Sequence, residues 1–374
     1  MKFSQFLRYT AAAFLVTGSM LVTAAQGAQE PSVRKPPVEV SAFAFVLASD
    51  VVWLDNERFV VGRLDGTVSV FRLGSEGVVV EATGVVPSRN GVETVIRTSE
   101  TTFVTSNDHG SLAFWCLRDG ELVVAVYSYA PELALGRAHS GAVVEGRLVA
   151  GHANGYISTW NVTEAGLEFE RQVSVRSFSP VDRPGDTWPG DDYVVNAVVS
   201  VGGDLVVTAA EDGDLVLVRV STGDEVHRMR YNPSAHFGLN GLAADGDLFV
   251  ATNCPADASE ANLYSYRVVK DRIERLSSVR LFRDTSQPHD NGGDFAAAAA
   301  IASSGGKRIV FATTEKGTLW SGTLDDSGAM SLPFTLPLDE GPMGPGGPVA
   351  VSPDGRHVAV VTMNVRVLKV ATAE

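Results

Sequence analysis

The sequence predicts an all-β protein, a closed seven-bladed β-propeller of four-stranded antiparallel blades in which the N-terminal strand completes the last blade. Three observations support this prediction. A strand motif recurs seven times, each copy follows a second apolar run across a tight turn, and the two ends of the chain complement each other. The 37 glycines among 374 residues also suit many short strands joined by turns.

Each copy of the motif begins at a turn residue that leads directly into a strand. In all seven copies an aliphatic residue stands two places later and another stands seven places later. The residue five places later is bulky in every copy except the sixth, where it is Gly322. The copies are 66–73, 110–117, 155–162, 213–220, 261–268, 317–324 and 363–370, and their starts lie 44, 45, 58, 48, 56 and 46 residues apart. The shortest spacings match one propeller blade, and the longer ones require insertions.

A second apolar run precedes each copy. These runs are 59–61, 103–104, 148–150, 205–207, 248–250, 309–311 and 358–360. Turn signals such as Asn154-Gly155 and Asp212-Gly213 stand between run and motif, and they supply the positive φ that tight hairpins need. The repeated unit is therefore strand, turn, strand.

The third copy carries a resemblance to a known family. It contains residues 138–143, 148–151, Asn154-Gly155 and Trp160-Asn161, and it resembles a WD40 repeat with His139 in the Gly-His position and Trp160-Asn161 in the Trp-Asp position. The resemblance extends from about residue 37 to the C-terminus. The chain departs from the family where Arg72, Arg219, Arg267 and Lys369 replace Asp, which affects the family's buried His, Asp and Trp network.

The ends of the chain agree with such a ring. The last copy stops shortly before Glu374, after a predicted third strand, while residues 38–44 alternate like a strand ahead of the first copy. The resemblance implies that this N-terminal strand completes the last blade, which removes open sheet edges. An open stack with fewer blades is the alternative.

The N-terminus predicts export. Lys2 and Arg8 precede an uncharged apolar stretch, and small residues then allow cleavage after Ala25 or after Gly27. A membrane anchor is the alternative, but Thr and Ser residues dilute the stretch. We expect a signal peptide at 1–27, a linker at 28–36, the propeller at 37–374, and a periplasmic or secreted protein with no membrane insertion after cleavage.

The net charge of the chain restricts the class of partner. The net charge is −14, and loss of the positive Lys2 and Arg8 would make it −16, which disfavours nucleic acid as a partner.

Cys116 and Cys254 are the two cysteines, and the repeat places them three blades apart. A disulfide needs Cα atoms within about 7 Å, so we expect two separate, largely buried thiols.

The insertions that lengthen the repeat are expected on one face of the ring. They are 177–193, 231–240, 255–260, 282–294 and 336–347, in the connections between blades or between the second and third strands. Insertions on one face are typical of a binding face. In the first of them, Phe178, Trp188, Tyr193, Asp191 and Asp192 are the candidate partner-binding residues, as aromatic anchors with a charged rim.

Two alternatives remain for this first insertion. Its rings could fold back on the blade edge and hold the loop down. Its Asp residues could bind Ca²⁺, but they lack the alternation of an EF-hand loop, so a solvated acidic loop is favoured.

A second candidate site lies at the mouth of the central channel. His236, His289, Asp290 and Asn291 precede first strands and are the candidate ligand residues there. His139, His236 and His289 could hold a transition metal, but their blades are spread around the ring, which favours structural roles.

The function predicted is a non-catalytic scaffold that docks a protein partner on the inserted-loop face. No motif for covalent haem, a nucleophile elbow or a P-loop is present, so we assign no catalytic residue, metal or cofactor. The alternative is a propeller enzyme or a small-ligand or metal sensor, lactonase-like or quinoprotein-like, with its site at the channel mouth. The single Thr222-Gly223 turn resembles quinoprotein blades only faintly.

Overall fold

The computed structural model describes residues 37–44, 47–75, 77–86, 91–107, 110–128, 136–176, 194–232, 238–255, 260–281, 295–304, 306–315, 317–338, 347–362 and 364–370. The predicted signal peptide and linker lie outside these residues and stay predictions. Within the described ranges, no helix is long and apolar enough to cross a membrane.

The strands form seven four-stranded antiparallel sheets, which confirms the predicted all-β propeller. Blade 1 contains β2 (Ala48–Trp53), β3 (Arg58–Arg63), β4 (Thr67–Gly74) and β5 (Gly77–Val85). Blade 2 contains β6 (Val92–Arg97), β7 (Thr102–Asn107), β8 (Ser111–Arg118) and β9 (Glu121–Ser128). Blade 3 contains β10 (Ala138–Val144), β11 (Arg147–His152), β12 (Tyr156–Thr163) and β13 (Gly166–Ser174). Blade 4 contains β14 (Val195–Ser200), β15 (Leu205–Ala210), β16 (Asp214–Arg219) and β17 (Asp224–Arg230).

The remaining blades follow the same order. Blade 5 contains β18 (Leu239–Asp245), β19 (Leu248–Asn253), β20 (Leu263–Val269) and β21 (Arg272–Val279). Blade 6 contains β22 (Ala296–Ser304), β23 (Lys307–Thr314), β24 (Thr318–Leu324) and β25 (Met330–Pro337). Blade 7 contains β26 (Val349–Val351), β27 (His357–Val361) and β28 (Asn364–Lys369), and β1 (Val38–Ala44) pairs antiparallel with β28 as its outer strand.

The sheets pack face to face around a ring. Among the described residues, seven hydrophobic clusters occupy the seven interfaces between neighbouring blades. The cluster between blades 7 and 1 contains Trp53, Phe59 and Val365, all at most 2% exposed. The inner strand of each blade contacts the inner strand of the next, and β26 contacts β2, so the ring is closed.

The repeated motif forms the third strand of each blade. In five copies the first residue is a glycine with a positive φ, as at Gly66 (81°), and the Gly66 N–H donates to the Arg63 carbonyl at 3.0 Å. The Gly66 carbonyl then accepts the Val86 N–H at 2.9 Å and holds the end of β5. At the other end of the motif, the Leu73 N–H donates to the Glu57 carbonyl at 2.7 Å. The first and last residues of the motif therefore mark the two turns that define a blade.

Gly322, the exception in the motif, has a structural reason. At this point the pairing of β24 with β25 shifts register between Ser321 and Thr323. A Cβ added at Gly322 would overlap the Ser331 carbonyl oxygen and approach the Leu332 backbone. The backbone of β25 fills the space that a bulky side chain takes in the other blades.

Cys116 and Cys254 are free thiols, in agreement with the predicted separation. Both lie at intermediate exposure, with most of their surface covered. Cys116 lies on β8, two residues before the exposed Arg118 at the end of that strand. Its Sγ accepts from Arg118 Nε at 3.2 Å.

Candidate functional site

The connections between blades and those between the second and third strands of a blade emerge at one face of the propeller, because neighbouring strands run in opposite directions. We call this the loop face. All five insertions fall in these connections; the largest separates Ser174 at the end of β13 from Val195 at the start of β14. On the opposite face, the turns between first and second strands span two to five residues.

The candidate residues predicted from sequence lie outside the described residues. This holds for Phe178, Trp188, Tyr193, Asp191 and Asp192, and for His236, His289, Asp290 and Asn291. The described part of the loop face consists of the strand ends and short turns that flank these segments.

The inner strands share an irregularity at the loop face. In blades 1 to 6, the first pairs of the inner strand contain a β-bulge. The residues within these bulges, which we call the mouth residues, are Ser49, Glu93, Thr94, His139, Asn196, Asn240 and Ala297. A bulge redirects side chains at a strand end, and here it does so at the innermost strands, around the channel mouth.

The mouth residues of blades 2 and 3 form a charged group. Arg137 Nη1 lies 3.5 Å from Glu93 Oε1, and Arg137 Nε donates to His139 Nε2 at 3.1 Å. The guanidinium therefore links a carboxylate of one blade to an imidazole of the next. Arg137 is 43% exposed, which leaves this group open to solvent and to a docking molecule.

The mouth residues of blades 4 and 5 are amides that connect neighbouring blades. Asn196 Nδ2 donates to the Leu239 carbonyl at 2.8 Å and to Glu211 Oε2 at 2.9 Å. Asn240 Nδ2 donates to the Ala296 carbonyl at 2.8 Å. Each amide thus ties the start of one inner strand to the start of the next.

Blade 1 uses a carboxyl group for the same task. Asp50 Oδ2 accepts from the Val95 N–H at 2.7 Å and from Thr94 Oγ1 at 2.8 Å, while Oδ1 accepts from the Val51 N–H at 2.8 Å. Burial raises the pKa of Asp50 from 3.8 to about 6, and these hydrogen bonds offset only part of that effect.

Cys254 lies beside the amide of Asn240, whose Nδ2 is 3.2 Å from Sγ. Burial raises the pKa of the Cys254 thiol to about 12, and the neighbouring charges of Glu211 and Glu315 add to the shift. Because the thiolate is the nucleophilic form, this cysteine is not activated for nucleophilic chemistry.

Blade 3 contains a buried hydrogen-bond network, but around a different histidine from the one predicted. His152 Nε2 lies 2.7 Å from Ser158 Oγ, and Trp160 Nε1 donates to the same Oγ at 2.8 Å. His152 Nδ1 lies 3.2 Å from the Gly136 carbonyl. The resemblance placed His139 in the Gly-His position; the structure places His139 at the channel mouth and gives the buried contacts to His152.

Sequence reasoning missed Asp50, Asn196, Asn240 and His152. Three of them carry a signal that could have been recognised, since a polar residue with amide or carboxyl groups interrupts the start of a predicted inner strand. Within the described ranges, no group of three His, Cys, Asp or Glu side chains is arranged to hold a metal ion. The chemistry offered by the described mouth is hydrogen bonding and charge pairing.

Solved structures share this fold. The chain aligns with a chain in the crystal structure of the mitotic checkpoint complex at a TM-score of 0.68 and 11% identity, covering 96% of this chain and 100% of that one. It aligns with the WD40 repeats of RRP9 at a TM-score of 0.68 and 10% identity, covering 90% and 99%. It aligns with U3-55K at a TM-score of 0.66 and 10% identity, covering 89% and 100%.

At these identities the likeness concerns the fold, which is that of WD40 repeat propellers. No protein-family model matches the sequence, and no curated protein matches it.

Proposed function

We propose that this chain is an exported, non-catalytic scaffold that docks a protein partner on its loop face. The observation that carries the proposal is the asymmetry between the two faces. Long connections, concentrated in blades 3 to 6, emerge at the loop face, while short turns close the other face. Repeat proteins concentrate insertions on the face that binds.

The mouth residues and the neighbouring Arg137 suit a polar protein surface. Glu93, Arg137 and the amide of Asn240 offer donors and acceptors around the channel mouth. Polar groups of this kind form the rim of protein interfaces, where aromatic anchors supply most of the binding energy. In this proposal the anchors are Phe178, Trp188 and Tyr193, with Asp191 and Asp192 in the rim.

The net charge of −14 favours a basic or neutral partner, because long-range repulsion slows the approach of an acidic one. One of the solved structures with this fold is a chain of the mitotic checkpoint complex, which supports a role in assembly. We propose the same kind of role for this chain, although a shared fold does not by itself determine function.

Export is part of the proposal and has its own test. Residues 1–27 have the charged start, apolar core and small-residue cleavage site of a signal peptide. We expect the mature protein to begin at Gln26 or Ala28, as read by N-terminal sequencing of protein from the native host. A mature chain that still begins at Met1 in the cytosolic fraction would contradict export without affecting the docking proposal.

The docking proposal is tested by affinity capture from native envelope extract. We expect a stoichiometric partner on the wild-type chain and its loss on Trp188→Ala. Phe169→Ala is the matched control, because Phe169 is an aromatic residue, 41% exposed, on the outer strand of blade 3 rather than on the loop face. Loss on both variants would point to the blade edge instead.

The same purification tests the rival function. If a metal or a small ligand accompanies the wild-type chain and is lost on His289→Ala, the chain is a sensor or enzyme with a site at the channel mouth. His236, Asp290 and Asn291 would then be its further candidate residues.

A further inference from the structure

The outer strands of the seven blades differ in how their free edges are protected. An outer strand presents unpaired N–H and C=O groups that can pair with another chain, and proteins protect such edges with β-bulges, charges or proline. Six of the seven described outer strands contain a β-bulge, namely β1, β5, β13, β17, β21 and β25. The outer strand of blade 2, β9, pairs with β8 in unbroken register from Glu121 to Ser128.

The sequence of β9 lacks the other protections as well. It reads ELVVAVYS, with one charge, at its first residue, and no lysine, arginine or proline. The outer strand β17 reads DEVHRMR, and β25 contains Pro333 and Pro337. On β9, Val123 is 53% exposed and Ala125 is exposed. The strand is therefore regular, apolar and open.

The backbone geometry shows which groups of β9 are free. Asp119 (φ 52°) and Gly120 (φ 78°) form a two-residue turn with two positive φ angles, and Arg118 and Glu121 pair across it. In such a hairpin the pair next to the turn is hydrogen-bonded, and hydrogen-bonded pairs alternate along the strands. Leu122, Val124 and Val126 therefore direct their N–H and C=O groups away from β8.

We propose that β9 is a dimerisation edge, which pairs antiparallel with β9 of a second copy of this chain. A two-fold axis perpendicular to the sheet at Val124 places Val124 of one copy opposite Val124 of the other. Side chains of the paired residues then point to the same face of the joined sheet. In this register Val123 of each copy lies opposite Ala125 of the other, so the exposed apolar side chains cover one another. The two blades then form one continuous eight-stranded sheet.

The position of Glu121 favours the antiparallel direction over the parallel one. In the two-fold register, the Glu121 carboxylates lie at opposite ends of the paired segment, about 20 Å apart along the strands. That separation exceeds the screening length of about 8 Å at physiological salt, so the two charges do not oppose pairing. A parallel arrangement would set them side by side.

The expected dimer is weak. The paired segment is short, and the contact falls below the ~1,200 Å² of a standard interface, so we expect a dissociation constant on the order of 10 µM. Because each chain carries a net charge of −14, added NaCl should strengthen the dimer by screening repulsion between the two bodies.

Sedimentation velocity of the full chain over a range of concentrations tests the proposal. We expect a concentration-dependent dimer that Val123→Lys weakens at least ~10-fold, since a charge on the open edge opposes strand pairing. Val80→Lys is the matched control: Val80 is 60% exposed on β5, which is protected by a bulge, and this variant should dimerise like the wild type.

Cross-linking tests the register. Positions 123 and 125 of the two copies form a non-hydrogen-bonded pair with Cα atoms about 4.5 Å apart, within reach of a disulfide. Oxidised Val123→Cys/Ala125→Cys protein should run as a dimer on a non-reducing gel. A monomer at every concentration, or a dimer that Val123→Lys leaves intact, overturns the proposal; in the second case a segment of another surface forms the dimer.

Discussion

Asp50 and His152 show how single polar residues are accommodated at the loop face. Asp50 joins the inner strands of blades 1 and 2, and burial raises its pKa to about 6. His152 joins β11 to the Gly136 carbonyl and to Ser158, and burial lowers its pKa to about 4. In both cases burial disfavours the charged form, so the two residues affect stability in opposite directions as the pH changes.

Asp50 should make the protein less stable as the pH rises. Its pKa is higher in the folded chain (about 6) than the ordinary value of 3.8, so its contribution is present below pH 3.8 and is lost as the pH rises through 6. Asp50→Asn does not titrate. Between pH 4 and pH 7 the free energy of unfolding of wild type relative to this variant should fall by about 2 kcal/mol, as measured by urea unfolding.

Asp65→Asn is the control for Asp50→Asn, because the pKa of Asp65 is shifted in the opposite direction. Hydrogen bonds from Thr67 and the charge of Arg63 outweigh burial and lower the pKa of Asp65, so its contribution is present above pH 3.8 and is lost on acidification below that value. A difference between wild type and Asp50→Asn that stays constant with pH would contradict the buried, proton-binding role of Asp50.

His152 should stabilise the protein at neutral pH. Its contribution is present above the ordinary pKa of 6.5 and is lost as the pH falls to about 4, because protonation would bury a charge. We expect His152→Gln to lower the free energy of unfolding by about 2 kcal/mol at pH 7.5, and by less at pH 5. Chemical unfolding at the two pH values measures this. His139→Gln, at the channel mouth, should change stability by under ~0.5 kcal/mol; an equal effect would return the buried role to His139.

At the scale of strands, the motif predicted from sequence corresponds to the third strand of every blade. Local chemistry explains this success, since a positive-φ glycine such as Gly110 and two buried aliphatic residues, Leu112 and Leu117, lie within eight residues of one copy. The bulges at the channel mouth were missed, because the extra residue in an inner strand depends on the neighbouring blade. Asn196 is an example: its partner, Leu239, is far away in the sequence.

Gly322 tests how closely two strands approach each other. A Cβ at this position would overlap the Ser331 carbonyl oxygen. The backbone of β25 cannot move aside as easily as the end of a flexible side chain can. Gly322→Ala should lower the free energy of unfolding by about 2 kcal/mol or more, measured by urea titration. Gly74→Ala is the matched control on β4, because its added Cβ would lie 3.6 Å from the nearest atom, and its cost should be under ~1 kcal/mol. Equal effects would show that β25 can move away from Gly322.

At the scale of the whole molecule, stability depends on interfaces that repeat around a ring. Each blade is buried on both faces by its neighbours, as Trp53 and Phe59 of blade 1 are buried against Val365 and Val367 of blade 7. A ring of this kind has no terminal blade with an exposed core face, so damage to one blade affects two interfaces. Blade 7 differs from the other six because it is built from strands near both ends of the chain.

Strand β1 is the outer strand of blade 7. Within β1, Phe43 pairs with Val365 and Ala42 with Arg366, which joins the N-terminal strand to the last one. Removing residues 1–44 would leave blade 7 with three strands and expose the edge of β28. We expect this truncation to lower Tm by about 5 °C or more in calorimetry and to promote aggregation, because an open strand edge recruits other chains. Removal of residues 1–36 keeps β1 and should leave Tm within about 2 °C of the full chain. If both truncations unfold at the same temperature, β1 contributes nothing to closure, and the interface between blades 7 and 1 holds the ring by packing alone.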